Sequence, residues 1–356
     1  MTFAYYRFPN ERVYTAIRQF DDNVERLSSF EDLNGKEGFV MAPFRISEST
    51  PLLLIRPDTI VRKPVQCDVD FEESAFFGND VRNEHEMYGR VFALFHEKLV
   101  DGSFSKIVLS RCACEEAACR LYPYKLFMRA CVLYPRMFVA LVSTPVSGTW
   151  LMSTPETLLE KTGEGWHTMA LAGTMRLGSD DTDTALEART LKADISEWSR
   201  KNIMEQRYVA KYIEECLEHY ALNLRISAPY SRRAGFVKHL STDFLFDLKE
   251  GEGIGNLIGE LHPTPAVCGI PKQAAFDFIT RNESYERAYY SGFAGPLSCG
   301  GMTRLYVTLR CMSIMGRKVE LYAGGGLLKD SEKQNEWLET EAKMGTMRKC
   351  LAIKRI

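Results

Sequence analysis

The sequence predicts an α/β protein in which short strands alternate with helices around a large core. Runs of β-branched and apolar residues, such as Gly38–Ala42 and Leu52–Ile55, alternate with polar loops. Glu84–Lys98 instead has the apolar spacing of an amphipathic helix. The chain of 356 residues can bury a sizeable core, and this length allows either two domains or one large α/β domain.

Composition and charge are those of a soluble globular protein. Hydrophobic residues make up 45% of the chain and charged residues 26%, and the formal net charge is -2. This charge gives no reason to expect a nucleic acid or an anionic membrane surface as a partner. The N-terminus lacks a signal-peptide pattern, and no apolar run approaches the ~20 residues of a membrane-spanning helix. We therefore expect a cytoplasmic protein.

Ten cysteines are many for such a protein, but their spacing does not predict a zinc site. Cys112, Cys114 and Cys119 form the only cluster, and no second pair of ligands follows it. The alternation around Cys112 and Cys114 fits a strand. We expect buried, reduced thiols at these positions.

A glycine-rich stretch near the C-terminus, Ala323–Lys343, predicts the order strand, tight loop, helix. The three glycines Gly324–Gly326 end a run of strand-type residues, and glycine lets backbone approach a ligand where any side chain would block it. Ser331 with Gln334 three positions later has the pattern of a capping box and predicts the start of the helix.

The helix that follows places three charged residues on one face. Glu336, Glu339 and Lys343 lie at i, i+3 and i+7. Such a face is either simply solvated, or it holds a hard divalent cation with the carboxylates and an anionic substrate with the lysine. The neighbouring glycine run favours the second interpretation.

Two ionisable residues lie where strands end or bend. Lys106 is near the start of the β-branched run Phe104–Arg111, where partial burial would lower its pKa toward that of a base. Glu156 follows Pro155 at a bend, from which its carboxylate can point into a cleft. For both residues the alternative is an ordinary solvated position.

A long, heavily charged helix is predicted over Ala185–Tyr220. Within it Lys201 and Glu205 are spaced i, i+4, which suits a surface salt bridge worth a few tenths of a kcal/mol. Before this helix, Gly173 beside Thr174 indicates a close approach of backbone to a ligand, although a simple β-turn explains the pair almost as well.

Two further segments carry unusual polar residues. Leu261–Pro271 contains three prolines around His262, which excludes a regular helix or inner strand and predicts a rigid loop. Leu305–Ser313 is predicted to be a strand with Arg310 inside it. An arginine there is costly unless it meets an anion, so Arg310 is a candidate carboxylate ligand.

Together these motifs resemble the chorismate-utilising enzymes, a family that includes isochorismate, salicylate, anthranilate and aminodeoxychorismate synthases. The resemblance extends from about Phe104 to Met347 and follows the family order: KIVLSR, the STPE turn, ALAGT, the K-x-x-x-E helix, HL-T, HPTPAV-G-P, E-x-x-x-R-x-x-Y-x-G, the LR strand, AGGG and EW-ET-x-x-K. It implies large antiparallel sheets flanked by helices. Residues 1–95 would be an N-terminal scaffold in the same domain as a chorismate-binding core, 96–356.

The resemblance also implies a magnesium-dependent reaction on chorismate. The metal-binding carboxylates would be Glu205, Glu339 and Glu336, the last assisting through water. The substrate-binding positions would be Thr174, His262, Arg310, Gly324 and Lys343. Chorismate is a dianion, so cations, donors and close backbone at both of its ends suit it chemically.

For the chemical step, the resemblance implies that Lys106 is the general base and Glu156 the general acid. Neutral Lys106 would take a proton from water that attacks C2, and protonated Glu156 would donate to the departing C4 hydroxyl. The ammonia-using members lack this lysine, which favours a water-using enzyme. Gln206 and Cys268 depart from the family's usual His and Gly, which puts in doubt details around the site rather than the reaction.

Isochorismate formation, for menaquinone or siderophore supply, is therefore the leading hypothesis. The first alternative is a salicylate synthase, which also eliminates pyruvate from isochorismate. The second is a catalytically inactive chorismate-binding homologue, which is disfavoured because the acid, base and metal positions are all filled. We expect chorismate as the small-molecule partner, Mg²⁺ as the cofactor, and a monomer or weak homodimer.

Overall fold

Two large β-sheets dominate the computed structural model of the chain. The structure describes residues 1–66, 75–78, 81–177, 195–234, 237–351 and 354–355. Part of the helix predicted over Ala185–Tyr220 lies outside these ranges. Within them the prediction of an α/β fold with large antiparallel sheets flanked by helices is confirmed.

The first sheet has eleven strands among the described residues. Its spatial order is β21-β7-β8-β20-β19-β10-β9-β1-β2-β6, with β16 paired to β8, and all neighbours except β21 and β7 are antiparallel. The strands are β1 (Thr2–Arg7), β2 (Val13–Gln19), β6 (Thr59–Pro64), β7 (Ala75–Gly78), β8 (Lys106–Ala117), β9 (Phe138–Thr144), β10 (Gly148–Thr154), β16 (Gly269–Ile270), β19 (Cys311–Met315), β20 (Lys318–Leu327) and β21 (Lys354–Arg355).

The second sheet has ten described strands and stacks on the first. Its order is β13-β15-β12-β11-β18-β17-β4-β5-β3, with β14 paired to β15. The strands are β3 (Glu25–Leu27), β4 (Gly38–Ala42), β5 (Leu52–Ile55), β11 (Thr157–Thr162), β12 (Gly165–Arg176), β13 (Ala221–Ile226), β14 (Tyr230–Ala234), β15 (Val237–Leu248), β17 (Phe293–Leu297) and β18 (Arg304–Val307).

Helices cover the outer faces of both sheets. In the described part of the chain they are α1 (Val81–Val100), α2 (Pro123–Leu133), α3 (Arg200–Tyr220), α4 (Ile254–Leu261), α5 (Lys272–Asn282) and α6 (Lys333–Leu351). The apolar sides of α2 and α6 pack on the first sheet, and those of α3 and α4 pack on the second. None of the helices in these ranges is both long and apolar enough to span a bilayer.

Strand β9 shows why the apolar runs of the sequence become inner strands. Val139 and Leu141 pack under the helices of the first sheet, whereas Phe138, Ala140 and Val142 pack between the two sheets. Successive side chains of a strand point to opposite faces. A strand that is covered on both faces is therefore apolar throughout, as the run in the sequence predicted.

The N-terminal strands are divided between the two sheets. β1, β2 and β6 extend the first sheet through the pairing of β1 with β9, and β4 extends the second through its pairing with β17. The boundary expected near residue 95 falls inside α1.

Three local predictions need correction, and two of them concern the bounds of a strand and of a helix. Leu305–Ser313 is not one strand, because β18 belongs to the second sheet and β19 to the first, and the chain crosses between the sheets at Thr308–Arg310. α6 begins at Lys333 rather than at Ser331, whose hydroxyl instead accepts a hydrogen bond from the backbone N–H of Leu328 (3.0 Å).

The cysteine prediction is only partly right. Cys112 is half-buried, while Cys114 and Cys119 are exposed and not buried as expected. Cys114 lies toward the end of β8, where the sheet gives less cover. All nine cysteines in the described ranges are free thiols.

Candidate active site

A cavity opens at the end of β20, between the two sheets. The pairing of β20 with β19 stops at Tyr322, whereas its pairing with β8 continues to Leu327. Residues 323–327 therefore have one free edge. The predicted site residues that line the cavity are Glu156, Thr174, Glu205, Arg310, Gly324 and Lys343.

Lys106 is the first residue of β8 and is completely buried beside this cavity. Its Nζ lies 3.2 Å from Oε1 of Glu205. Burial lowers the pKa of Lys106, although the charges of Glu205 and Glu156 act in the opposite direction. Desolvation disfavours the charged form of an amine, so the neutral form needed by a base becomes accessible here.

Glu156 lies in the bend between β10 and β11 and is 3% exposed. Burial raises the pKa of Glu156 to about 8, against the charges of Lys106, Lys343 and Arg310. A carboxyl group with this pKa is largely protonated at neutral pH and is able to donate a proton. Lys106 and Glu156 thus have pKa values shifted toward each other, as in a general base and a general acid.

Each of the three predicted metal-binding carboxylates is paired with a lysine. Lys343 on α6 donates to Glu339 (2.8 Å) and to the backbone oxygen of Gly324 (2.7 Å). Lys201 on α3 forms an ion pair with Glu336, and Lys106 contacts Glu205. The predicted surface salt bridge between Lys201 and Glu205 is therefore wrong, because each residue has found a partner from another element.

The glycines at the end of β20 make this arrangement possible. A Cβ on Gly326 would lie 2.1 Å from Oε1 of Glu205 and 2.8 Å from Cε of Lys106. A Cβ on Gly325 would lie 3.1 Å from Oε2 of Glu336 and 3.5 Å from Oε1 of Glu339. The three carboxylates thus approach two successive glycines. A side chain at Gly326 would displace Glu205, and one at Gly325 would crowd Glu336.

The donor set at these glycines fits a hard divalent cation. Carboxylate oxygens are the ligands that Mg²⁺ prefers, and Oε2 of buried Glu336 has no hydrogen-bond partner among the described residues. Burial raises the pKa of Glu336, while Lys343 and Lys201 outweigh burial and lower that of Glu339. In the described ranges no three His, Cys, Asp or Glu side chains already converge as a metal site.

Arg310 reaches the cavity from the crossing between the sheets, where its φ of 45° turns the backbone. Its guanidinium donates to the backbone oxygen of Ala234 (2.7 Å) and contacts Nε2 of His239 (2.5 Å). His239 Nδ1 lies 2.8 Å from the oxygen of Gly173. Since an arginine can only donate, His239 is neutral, with its proton on Nδ1. Burial, followed by the charge of Arg310, lowers the pKa of His239 accordingly.

A family model described as chorismate binding enzyme matches residues 62–352. The chain belongs to the chorismate binding enzyme family. The match begins well before the first motif noted in the sequence, at Phe104, and so includes α1 and part of the N-terminal strands.

Individual members of this family resemble the chain over part of its length. The chain is 36% identical over 205 residues to the salicylate biosynthesis isochorismate synthase of Pseudomonas aeruginosa, covering 57% of this chain and 42% of that protein. It is 30% identical over 263 residues to the isochorismate synthase EntC of Escherichia coli, covering 74% and 65%. These alignments span less than two thirds of either relative.

The fold is that of a solved isochorismate synthase structure. The crystal structure of the putative 2,3-dihydroxybenzoate-specific isochorismate synthase DhbC from Bacillus anthracis superposes with a TM-score of 0.82 at 24% identity, covering 99% of this chain and 97% of that one. At this identity the likeness establishes the architecture alone.

One predicted substrate position of this chorismate binding enzyme lies elsewhere. His262 does not line the cavity, because its ring packs between Phe30 and Phe293 (both centroids at 5.2 Å) and its Nε2 lies 3.1 Å from the oxygen of Pro43. It borders a separate groove on the other side of its loop. Burial lowers the pKa of His262 to about 3, so the ring is neutral.

His239, Tyr290 and Tyr322 also line the cavity, although they were not predicted as site residues. The rings of Tyr290 and Tyr322 stack at 5.6 Å and form an aromatic wall beside Gly324. His239 belongs to the HL-T motif and Tyr290 to the E-x-x-x-R-x-x-Y-x-G motif. The motifs were a signal for these two residues, whereas nothing in the sequence singled out Tyr322.

Proposed function

We propose that this protein is an isochorismate synthase, which converts chorismate to isochorismate with Mg²⁺ as its cofactor. The observation that carries the proposal is that buried Glu156 lines the cavity and buried Lys106 lies beside it against Glu205, with the pKa of Lys106 lowered and that of Glu156 raised. The relatives that bear this name support it.

The reaction adds a hydroxyl at C2 and removes the one at C4. Neutral Lys106 accepts a proton from the water that attacks C2, and the C2–O bond forms. Glu156 gives its proton to the C4 oxygen, which leaves as water while the ring double bonds shift. Each group ends in the opposite protonation state, and a proton transfer through solvent restores both.

Charged and polar groups around the cavity would orient the dianion. Arg310 and the backbone at Gly324 would receive one carboxylate, with Lys343 beside Gly324. Thr174 also lines the cavity. A fixed guanidinium orients a carboxylate through two parallel hydrogen bonds, which supplies geometry as well as binding energy.

The cation would be bound by Glu205, Glu339 and Glu336. Its contribution would be to neutralise and fix the substrate's other carboxylate, as a Lewis acid does without a proton transfer. Because Glu205 is the ion-pair partner of Lys106, a cation bound by Glu205 would compete for this carboxylate and would favour the neutral Lys106 that a base requires.

The product formed from chorismate tests the proposal. The purified protein is incubated with chorismate and Mg²⁺ near neutral pH, and the products are separated by chromatography with and without a chelator. We expect isochorismate, formed only with the metal. Salicylate and pyruvate formed in equal amounts would instead identify a salicylate synthase, and no turnover would identify an inactive homologue. Whether isochorismate then serves menaquinone or siderophore synthesis depends on the enzyme that consumes it.

A further inference from the structure

The interface between α1 and α6 contains two buried polar atoms that lack a hydrogen-bond partner in the described part of the chain. The phenol oxygen of Tyr88 on α1 and Oε2 of Glu336 on α6 have no hydrogen-bond partner among the described residues. Tyr88 is 4% exposed and Glu336 is 1% exposed. A buried polar atom without a partner is costly, so native structures retain few of them and each indicates a function or a bound group.

Contacts on one face of α6 place Tyr88 next to the helix turn that carries Glu336. The ring of Tyr88 packs against Trp337 with centroids 5.4 Å apart. The neighbouring Gly89 faces Lys333, whose Cδ lies 3.2 Å from the position of a Cβ on the glycine. Lys333, Glu336 and Trp337 are spaced i, i+3, i+4 and share a helix face. α1 therefore packs against the turn that carries Glu336.

The two oxygens of Glu336 have different surroundings. Oε1 is held by Lys201. Oε2 is directed toward Gly325, near Oε1 of Glu339, where the cation is proposed to bind. A phenol carries its proton at neutral pH and can donate it in a hydrogen bond. Within the described residues, Tyr88 is therefore a buried donor without a partner at the interface where Oε2 of Glu336 is a buried acceptor without one.

We propose that Tyr88 is a positioning residue for Glu336. Its phenol O–H donates to one bridging water, which in turn donates to Oε2 of Glu336 and holds this carboxylate in the orientation that binds the divalent cation. The inference rests on the proposed function, because it takes Glu336 as part of the cation-binding set. Hydrogen bonds to ligating carboxylates orient them, and their loss typically lowers metal affinity about 10- to 100-fold.

The Tyr88→Phe variant tests this, because it removes only the hydroxyl and leaves the ring against Trp337. The readout is the dissociation constant for Mn²⁺, measured by electron paramagnetic resonance without substrate, and that for Mg²⁺ by competition. We expect at least a tenfold weaker affinity for both ions. We also expect a melting temperature of the metal-free protein no lower than that of the wild type, and a kcat that recovers at saturating Mg²⁺.

Tyr289→Phe is the matched control. Tyr289 is equally buried, but its hydroxyl donates to the oxygen of Pro51 (3.0 Å), so its loss should leave metal affinity unchanged. Equal affinity of wild type and Tyr88→Phe would overturn the inference while leaving the proposed function intact. A wild-type protein that binds neither ion would overturn both. A Tyr88→Phe variant that is weakened only in melting temperature would show that the residue merely packs.

Discussion

Single residues in this protein acquire their chemistry from burial. In the sequence, Lys106 and Glu156 are ordinary ionisable residues. For each of them, an exposed, solvated position was the alternative to a catalytic role. Burial shifts the pKa of Lys106 downward and that of Glu156 upward. Desolvation penalises the charged form of either group, so one cavity produces a base and an acid together.

Replacement of Lys106 by alanine tests its role as the base. We expect the rate of chorismate hydration to fall about 10²- to 10⁴-fold, the usual cost of a lost general base, while KM changes little. Steady-state kinetics at saturating Mg²⁺ measure both constants. Lys98→Ala, at a partly exposed lysine that pairs with Asp101, is the control and should retain full activity. A near-normal kcat in Lys106→Ala would exclude the base assignment.

Replacement of Glu339 by glutamine tests the cation-binding set. A neutral amide is a weaker ligand than a carboxylate, so we expect weaker Mg²⁺ binding and activity that recovers only at high metal concentration. The variant also loses the ion pair with Lys343. A magnesium titration of activity, compared with that of the wild type, gives the answer, and coincident curves would place Glu339 outside the metal site.

At the scale of elements, the end of β20 brings the site together. Its glycines admit carboxylates from α3 and α6, and its free edge opens into the cavity. The order strand, loop, helix was predictable, because glycine runs and helical spacing are local signals. The ion-pair partners were not predictable, because Lys201 and Glu336 are 135 residues apart in sequence.

Non-local pairing also explains the other differences between sequence and structure. Leu305–Ser313 has the composition of one strand, and only the stacking of two sheets shows that the chain changes sheet before Arg310. The segment Leu261–Pro271 was correctly predicted to be irregular over residues 262–268, but Gly269–Ile270 within it form strand β16, paired with β8. The side to which His262 turns depends on Phe30 and Phe293, which are distant in sequence. Local patterns thus predict elements and residue types, but not the face that a side chain presents.

The Gly326→Ala variant tests the importance of this close approach. The added methyl group would overlap Glu205 and crowd Lys106, so both side chains must move. We expect activity to fall at least about 10²-fold, since small displacements of catalytic groups have effects of this size, with a stability loss on the order of 1–3 kcal/mol from overpacking.

Gly345→Ala in α6 is the control for that variant. No atom lies within 4 Å of its Cβ position. Alanine is preferred over glycine inside a helix by about 1 kcal/mol, so this variant should be slightly more stable and fully active. Assays and thermal melts of both variants check the pair, and full activity in Gly326→Ala would show that the carboxylate and the lysine tolerate displacement.

At the scale of the whole molecule, an ion cluster on the second sheet links stability to pH. His167 on β12 lies 2.9 Å from Glu160 on β11 and 3.0 Å from Asp243 on β15, so it joins three strands. Burial opposes its charge, but the hydrogen bonds and charges of the two carboxylates prevail and raise the pKa of His167 to about 9 from 6.5. The imidazolium is therefore favoured in the folded state and not in the unfolded chain.

A raised pKa in the folded state gives stability that is present at low pH and lost at high pH. The contribution of His167 should be complete below pH 6.5 and should disappear as the pH rises to about 9. It amounts to at most roughly 3 kcal/mol, since one pKa unit corresponds to about 1.4 kcal/mol. Urea unfolding of the wild type and of His167→Gln at a series of pH values isolates this term, because other titrating groups are common to both proteins. We expect the difference in the free energy of unfolding to be largest near pH 6 and to shrink toward pH 9.5. A difference that is constant across this range would mean that His167 contributes by packing and neutral hydrogen bonds, and that its charge does not link the three strands.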